Sequence, residues 1–285
     1  MCRLAFVAFA CLALGQASAE ALQPAADDPR LNAALAALKP QRPGTVDAYV
    51  IVAALDTDPV FNREAREAGR VLAERFGAEG RVITLAEDEG DDQAAAAGTP
   101  ADLAAALNRA GALMDRNEDV LVLYTTSHGS PHAGLSYDNG ARGSGVIKPQ
   151  DLTAMLAGNG AQNRLIMLQA CFSGQFVPAL AGPRSVVVTA ASSMKSSFGC
   201  SASNDWTFFG HALINQAMRT SDTLVRQVRR AFVLIIGWEQ KLGIESSNPQ
   251  VSVGAETGPW LAALDVEALP VPQTPVGKPP SELEN

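Results

Sequence analysis

Cysteine is scarce in this chain: there are four in 285 residues, at positions 2, 11, 171 and 200. Two cysteines beyond the N-terminal stretch do not make a disulfide framework, so Cys171 and Cys200 each need a separate explanation. Histidine is scarcer still, with three. None of His128, His132 and His211 has further ligands beside it at a metal-binding spacing, so neither a metal nor a cofactor is expected. Positive charge is the minority sign, 22 Lys and Arg against 30 Asp and Glu for a net charge of −8. That balance argues against nucleic acid or an anionic membrane as partner. There is also no internal repeat, and no apolar run long enough to cross a bilayer.

The one apolar run at the N-terminus has another reading. "MCRLAFVAFACLALGQASAE" carries a single Arg, roughly ten apolar residues and a small-x-small "ASA" ending at Ala19, the pattern of a signal peptide cut before Glu20. A lipoprotein cysteine at Cys11 is disfavoured, because the preceding "AFA" fits poorly and the apolar run would be cut in half. Removing residues 1–19 takes away one Arg and no acid, bringing the net charge to −9. The expectation is an exported protein, periplasmic or secreted, without a membrane anchor and with only Cys171 and Cys200 as thiols.

Residues 20–44, rich in Ala, Pro, Asp and Arg, read as an N-terminal extension with a short helical pattern at "DPRLNAALAAL". Residues 45–264 read as one domain. Residues 265–285, with prolines at 270, 272, 275, 279 and 280, read as a disordered tail. Both ends look dispensable to the fold. Inside the domain "VDAYVIVAAL", "RVITLA", "DVLVLYTTS", "NRLIMLQA" and "RSVVVTAAS" are buried-strand patterns, and "NPQVSVGA" is a candidate last strand. Between them Val60, Phe61, Ala65, Ala68, Val71, Leu72 and Phe76 fall at helical spacing, as do Leu103, Ala106, Leu107, Ala110 and Leu113. "PQDLTAMLAG", "WTFFGHALINQAMR" and "SDTLVRQVRRAFVLIIGWEQKLG" predict further helices. The glycine-rich "PHAGLSYDNGARGSGVIKP" predicts a hairpin, and the acidic "EDEGDDQAAAAG" a solvated loop. Continuous apolar strands alternating with helices indicate an α/β fold with a mostly parallel sheet covered on both faces.

In open α/β sheets the reacting groups lie at the carboxyl ends of strands. The third strand ends in His128-Gly129 and the fourth in "ACFSG", Ala170 to Gly174, and consecutive strands tend to be neighbours. That would bring His128 and Cys171 out on one sheet edge. Cys171 can then act as thiolate nucleophile, His128 as general base and acid, and the Gly129 N–H, with that of Cys171, as an oxyanion hole. Taken singly, each residue has a plainer reading: Cys171 as core filler, His128-Gly129 as loop. His132 in the hairpin is the alternative base or an exposed loop residue, and His211 reads as a satisfied helical histidine.

The pair "LVLYTTSHGS" and "LIMLQACFSG", with Cys171 lying 43 residues after His128, resembles the legumain (asparaginyl endopeptidase) family of cysteine peptidases in the caspase-like superfamily. Gln169-Ala170-Cys171 also matches the start of the caspase signature, but Gly174 comes one residue later, as on the legumain side. The likeness runs from about Val46 to Gly254. "SSFGC" with "DWTFFGHAL" is similar to the segment that helps form the pocket for the residue before the scissile bond, and "VFNREA" to the segment with the pocket arginine, here Arg63. The resemblance implies a caspase-like three-layer α/β/α sandwich, a His128–Cys171 dyad and a substrate pocket of Arg63, Gln169, Ser197 and His211.

It also implies a cysteine endopeptidase that hydrolyses peptide bonds of a peptide or protein substrate through a thioester acyl-enzyme. A transpeptidase or transamidase would share that intermediate, and a silent peptide-binding pseudoenzyme would have no need of both dyad residues. The sequence departs from the family where Gln169 replaces an acid two residues before the cysteine and His211 replaces an aspartate. Phe61 stands where plant and animal members have an asparagine that orients the histidine. The pocket is therefore expected to be polar and less negative than that of legumains. Cys200 reads either as a small buried residue near the pocket or as a redox brake that pairs with Cys171.

Overall fold

The computed structural model describes residues 28–87, 95–267 and 273–283. The expected signal peptide and most of the acidic stretch after Ala86 lie outside the described residues. The strands are β1 (Ala48–Ala54), β2 (Val82–Leu85), β3 (Val120–Thr126), β4 (Gly129–Ser130), β5 (Gly134–Asp138), β6 (Ser144–Ile147), β7 (Asn163–Gln169), β8 (Ser185–Thr189) and β9 (Gln250–Val253). The helices are α1 (Pro29–Ala37), α2 (Pro59–Arg75), α3 (Pro100–Leu113), α4 (Pro149–Asn159), α5 (Val177–Leu180), α6 (Phe208–Gly210), α7 (Leu224–Leu242) and α8 (Gly258–Glu267). A π-helical stretch, His211–Ala217, continues α6.

Six strands form the central sheet in the order β2-β1-β3-β7-β8-β9, with β9 antiparallel on β8 and every other pair parallel. β1, β3 and β8 are buried at every residue, as a sheet covered on both faces demands. Val52, Val122, Tyr124 and Met167 share one core with side chains of α2, the π-helical stretch and α7. Ile51, Leu123, Ile166 and Leu168 share the other with α1, α3 and α4. This is the three-layer α/β/α sandwich expected, and the predicted hairpin is there as β5 and β6, to which β4 adds a third strand.

The ends of the domain differ from the expectation. α1 is capped by the Asp28 carboxylate, which accepts from the Arg30 N–H at 2.9 Å. It buries Leu31 in the core, as Leu38 does just beyond it, so part of the extension belongs to the domain. At the other end α8 runs to Glu267, past the expected boundary at 264. The proline-rich composition of the tail predicts no structure, yet residues 273–283 are bound to the domain. The Gln273 N–H donates to the Arg219 carbonyl at 2.9 Å, and the Trp206 Nε1–H to the Val276 carbonyl at 2.8 Å. The Lys278 N–H reaches Asp205 Oδ2 at 2.7 Å and the Ser281 N–H reaches Asn204 Oδ1 at 3.0 Å.

Helix α2 carries a fully buried acid, Glu64, on its inner face. Its carboxylate accepts from Tyr124 Oη of β3 at 2.6 Å and from the N–H and Oγ1 of Thr207, just before α6, at 2.7 and 2.8 Å. Burial raises its pKa, and these donors oppose that rise. Glu64 thus fastens α2 and the start of α6 to the sheet beside the carboxyl end of β3. Replacing Glu64 with Ala leaves the Thr207 N–H and the Tyr124 hydroxyl buried without a partner, so a loss of about 3 kcal/mol is expected in denaturant unfolding. Glu64→Gln, which keeps an acceptor, should lose clearly less.

Candidate active site

The register of β3 on β7 sets the site. Thr126 pairs with Gln169, and the Ser127 N–H donates to the Gln169 carbonyl at 3.1 Å. His128 and Cys171 each stand two residues beyond that last pair. A Cβ on Gly129 would lie 1.9 Å from the Cys171 carbonyl oxygen, so only glycine lets the two strand ends come this close. Phe172 then takes φ 58°, a left-handed conformation uncommon outside glycine, and turns the chain away directly after the cysteine. The turn is held by the Phe172 N–H on the Lys195 carbonyl at 2.8 Å and by the Gly174 N–H on the Ala191 carbonyl at 2.9 Å.

Cys171 is half-buried, and the Ser197 N–H points at its sulfur at 3.3 Å. The loop carrying Ser197 is pinned by the Phe208 N–H on the Phe198 carbonyl at 3.0 Å and by Asn204 Nδ2 on the Gly199 carbonyl at 2.9 Å. Gly199 adopts φ 87° within it.

His128 Nε2 lies 3.0 Å from Asp58 Oδ2, and the ring packs edge-on against Phe61 with centroids 5.0 Å apart. Asp58 occupies the N-cap position of α2, but its side chain caps no backbone N–H; its carboxylate faces the imidazole instead. Cys200 is the largest influence raising the pKa of His128 to about 9; desolvation opposes it, and Asp58 and Asp56 add to it. At neutral pH the residue is therefore an imidazolium. Asp56, Asp58 and His128 also bring one potential metal-ligand atom each within 4.8 Å of one another, a grouping that local sequence spacing does not reveal.

Of the expected pocket residues, Ser197 touches Cys171 directly. Arg63 forms an ion pair with Asp205, Nε to Oδ1 at 2.8 Å, and donates to the Ala202 and Asn204 carbonyls at 2.5 and 2.6 Å. Gln169 is buried beside Thr126, and its Oε1 has no hydrogen-bond partner among the described residues. His211 is buried too, stacked on Trp238 at 5.5 Å with Nδ1 facing Asn215 Nδ2 at 3.1 Å, and burial lowers its pKa to about 4. Among the described residues no hydrogen bond or ion pair joins His211 to the other three. His132 is exposed at the turn between β4 and β5. Cys200 is exposed, which corrects the reading of it as a buried residue.

Sequence reasoning missed Asp58, Glu64 and Asp205. Glu64 had a signal: it lies three residues after Phe61 and four after Val60, on the apolar face already identified. Asp58 stands before Pro59 as an ordinary helix cap would, and nothing local ties it to a histidine 70 positions away. Replacing Asp58 with Asn removes one of the partners that favour the charged imidazole, so the pKa of His128 should fall below about 9, by roughly one unit. An NMR titration of the ring protons measures it. Because the folded pKa lies above 6.5, the stability contributed by this ionisation is present below pH 6.5 and lost as pH rises through about 9.

Residues 101–254 match the Peptidase C13 family, a stretch that holds His128, Gly129, Gln169, Cys171, Ser197 and His211. Among solved structures, caspase-1 from Spodoptera frugiperda is similar to this chain at 13% sequence identity, over 73% of this chain and 87% of that one, with a TM-score of 0.49. No curated protein matches the sequence significantly. With more than half of its length matched, the chain belongs to the Peptidase C13 family, the legumain family of cysteine peptidases.

Proposed function

We propose that the protein is an exported endopeptidase in which Cys171 is the nucleophile and His128 its acid–base partner. The observation that carries this reading is the common position of His128 and Cys171, two residues past the Thr126–Gln169 pair, with Gly129 pressed on the Cys171 carbonyl. Cys171 attacks the scissile carbonyl through its sulfur as thiolate, with the imidazolium of His128 as its acid–base partner. The oxyanion that forms is met by the N–H groups of Cys171 and Gly129. Cys171 N–H makes no other hydrogen bond among the described residues. Gly129 faces Leu135, and the Ser136 N–H bond to the His128 carbonyl at 3.0 Å makes Gly129–Leu135 the non-hydrogen-bonded pair. The Gly129 N–H therefore points away from β5.

His128 then passes its proton to the leaving amine, and the C–N bond breaks to leave the thioester at Cys171. Water, deprotonated by the now neutral His128, attacks that thioester and releases the acid product. Asp58 holds the imidazole in place during both transfers, the role a carboxylate or amide plays beside the histidine of other triads. Arg63, Gln169, Ser197 and His211 are the proposed surroundings of the residue before the scissile bond. Asp205 offsets the charge of Arg63 and His211 is neutral, which supports a polar uncharged side chain there over an acidic one.

Cleavage of a peptide library by the mature chain tests the proposal. Cys171→Ala and His128→Ala should each lower kcat/KM by about a thousandfold or more, with His132→Ala unchanged. The reading fails if wild type neither cleaves any member nor is labelled at Cys171 by a thiol-directed acyloxymethyl ketone. Adding an amine acceptor separates hydrolysis from transfer, because a transpeptidase would give the amide product. Gly129→Ala should cost about a hundredfold in kcat/KM, since its methyl group forces the two strand ends apart.

A further inference from the structure

The proposed mechanism gives Asp58 a task and leaves its neighbour Asp56 without one. Both follow the carboxyl end of β1, beside the end of β3 that leads to His128. One ligand atom from each of Asp56, Asp58 and His128 lies within 4.8 Å of the other two, and Asp58 Oδ2 is 3.0 Å from His128 Nε2. Two ligands on a tetrahedral zinc ion, each bonded at about 2.0–2.2 Å, sit roughly 3.4 Å apart. The His128–Asp58 pair is already near that spacing, and Asp56 needs to close at most about 1.4 Å, the difference between 4.8 and 3.4 Å. All three residues are half-buried, so an ion has both a way in and water to complete its coordination. The backbone that presents the carboxylates is fixed from several sides. The Leu55 N–H donates to the Thr126 carbonyl at 3.0 Å and the Thr57 N–H to the Asp138 carbonyl at 2.9 Å. Asn62 Nδ2, buried on α2, reaches the carbonyls of Asp56 and Asp58, both at 3.3 Å. The Asp58 N–H donates to Asp56 Oδ1 at 3.0 Å, which leaves Oδ2 of Asp56 for a ligand bond.

We propose that Asp56, Asp58 and His128 bind a divalent cation of the zinc class, and that the ion reversibly switches the peptidase off. The second half rests on the reading of His128 as acid–base partner. An imidazole among the ligands suits zinc, whereas magnesium and calcium prefer sites made of oxygen alone. Two carboxylates match the two positive charges of the ion, so the filled site is neutral with an uncharged imidazole. No cysteine belongs to the group, which separates this mode of binding from capture of a metal by the nucleophile. On binding, the metal–nitrogen bond replaces the proton on Nε2, which passes to solvent, and nothing is oxidised or reduced. The ring then keeps one proton, on Nδ1. Loss of that proton would leave an imidazolate, so His128 can neither protonate the leaving amine nor deprotonate the attacking water. Removing the ion with a chelator returns the imidazole to its pairing with Asp58.

The test uses the full mature chain, stripped with EDTA and titrated with Zn²⁺ alone, with bound metal measured by equilibrium dialysis and peptidase activity followed in parallel. Wild type should bind Zn²⁺ and lose at least about tenfold in activity, restored by EDTA. The Cys171→Ala/Cys200→Ser double variant, which removes both thiols, should bind Zn²⁺ as tightly as wild type. Its Co²⁺ form should show no thiolate-to-metal charge-transfer band. Asp56→Asn keeps an acceptor for the Asp58 N–H but loses the charge, and should weaken Zn²⁺ at least about tenfold. Its activity, compared with its own EDTA-treated sample, should resist Zn²⁺ accordingly. His128→Ala should weaken binding as much. Zn²⁺ affinity retained in Asp56→Asn and His128→Ala, or lost in the double cysteine variant, would overturn the site, as would Ca²⁺ or Mg²⁺ binding as tightly as Zn²⁺. Wild type that binds the ion through these residues at full activity would overturn the switch. Dialysis needs no turnover, so a chain that binds Zn²⁺ in this pattern and never cleaves would sink the peptidase reading and leave the site standing.

Discussion

The pairing of β3 with β7 is the constraint on which the rest of the site depends. Parallel strands with this register place residues of equal offset side by side, so the offset of two beyond Thr126 and Gln169 fixes His128 and Cys171 together. A slip of one residue would turn every side chain to the other face and bury the wrong set. Both strands are apolar through their centres and covered by helices on two faces, so a slip would disrupt both cores at once. The geometry of the candidate site is thus guarded by packing energy far larger than any contact within the site. Gly129 adds the condition that no side chain intervenes.

Around that frame the charges are arranged to keep one proton in place. Asp58 and Cys200 both favour the imidazolium of His128, and its partial burial is not enough to reverse them. Asp58 can do so because its backbone carbonyl, and not its carboxylate, accepts the Phe61 N–H at 3.0 Å in the first turn of α2, which leaves the carboxylate to the imidazole. His211, in contrast, is surrounded by Trp238 and the helix interior with only an amide for company, and burial makes it neutral. Two histidines in one small domain thereby differ in pKa by several units, through the balance of partners against desolvation.

The sheet, its parallel sense and the two strand ends were legible in the sequence because each rests on a run of neighbours. Apolar runs mark strands, helical spacing marks their covers, and consecutive strands are mostly neighbours, though β2 lies outside β1 so that β1 and β3 pair. What could not be read were pairings across the chain. Asp58 to His128, Glu64 to Tyr124 and Thr207, and Arg63 to Asp205 join positions 60 to 143 residues apart. Each of these acids is unremarkable in its local context, a cap or a loop residue or one charge on a helix. Cys200 shows the opposite case, since its position in "SSFGC" singled it out while leaving its exposure and its partner undetermined.

The tail shows why composition can mislead about order. Proline spacing removes backbone N–H groups, which weakens any regular ladder, but it also restricts the unfolded chain, so little entropy is lost when such a segment docks. Here N–H groups between and just after the prolines are used: Gln273, Val276, Lys278 and Ser281 each donate to the domain. The docking has a consequence for the site. Asp205 accepts the Lys278 N–H with one oxygen and pairs with Arg63 through the other, and Asn204 accepts from Ser281 while its carbonyl takes Arg63. Arg63 is thus held by a segment that is itself held by the tail. The polarity of the proposed pocket is set partly from outside the stretch matched to the family, by residues whose composition alone would have excluded them from the fold.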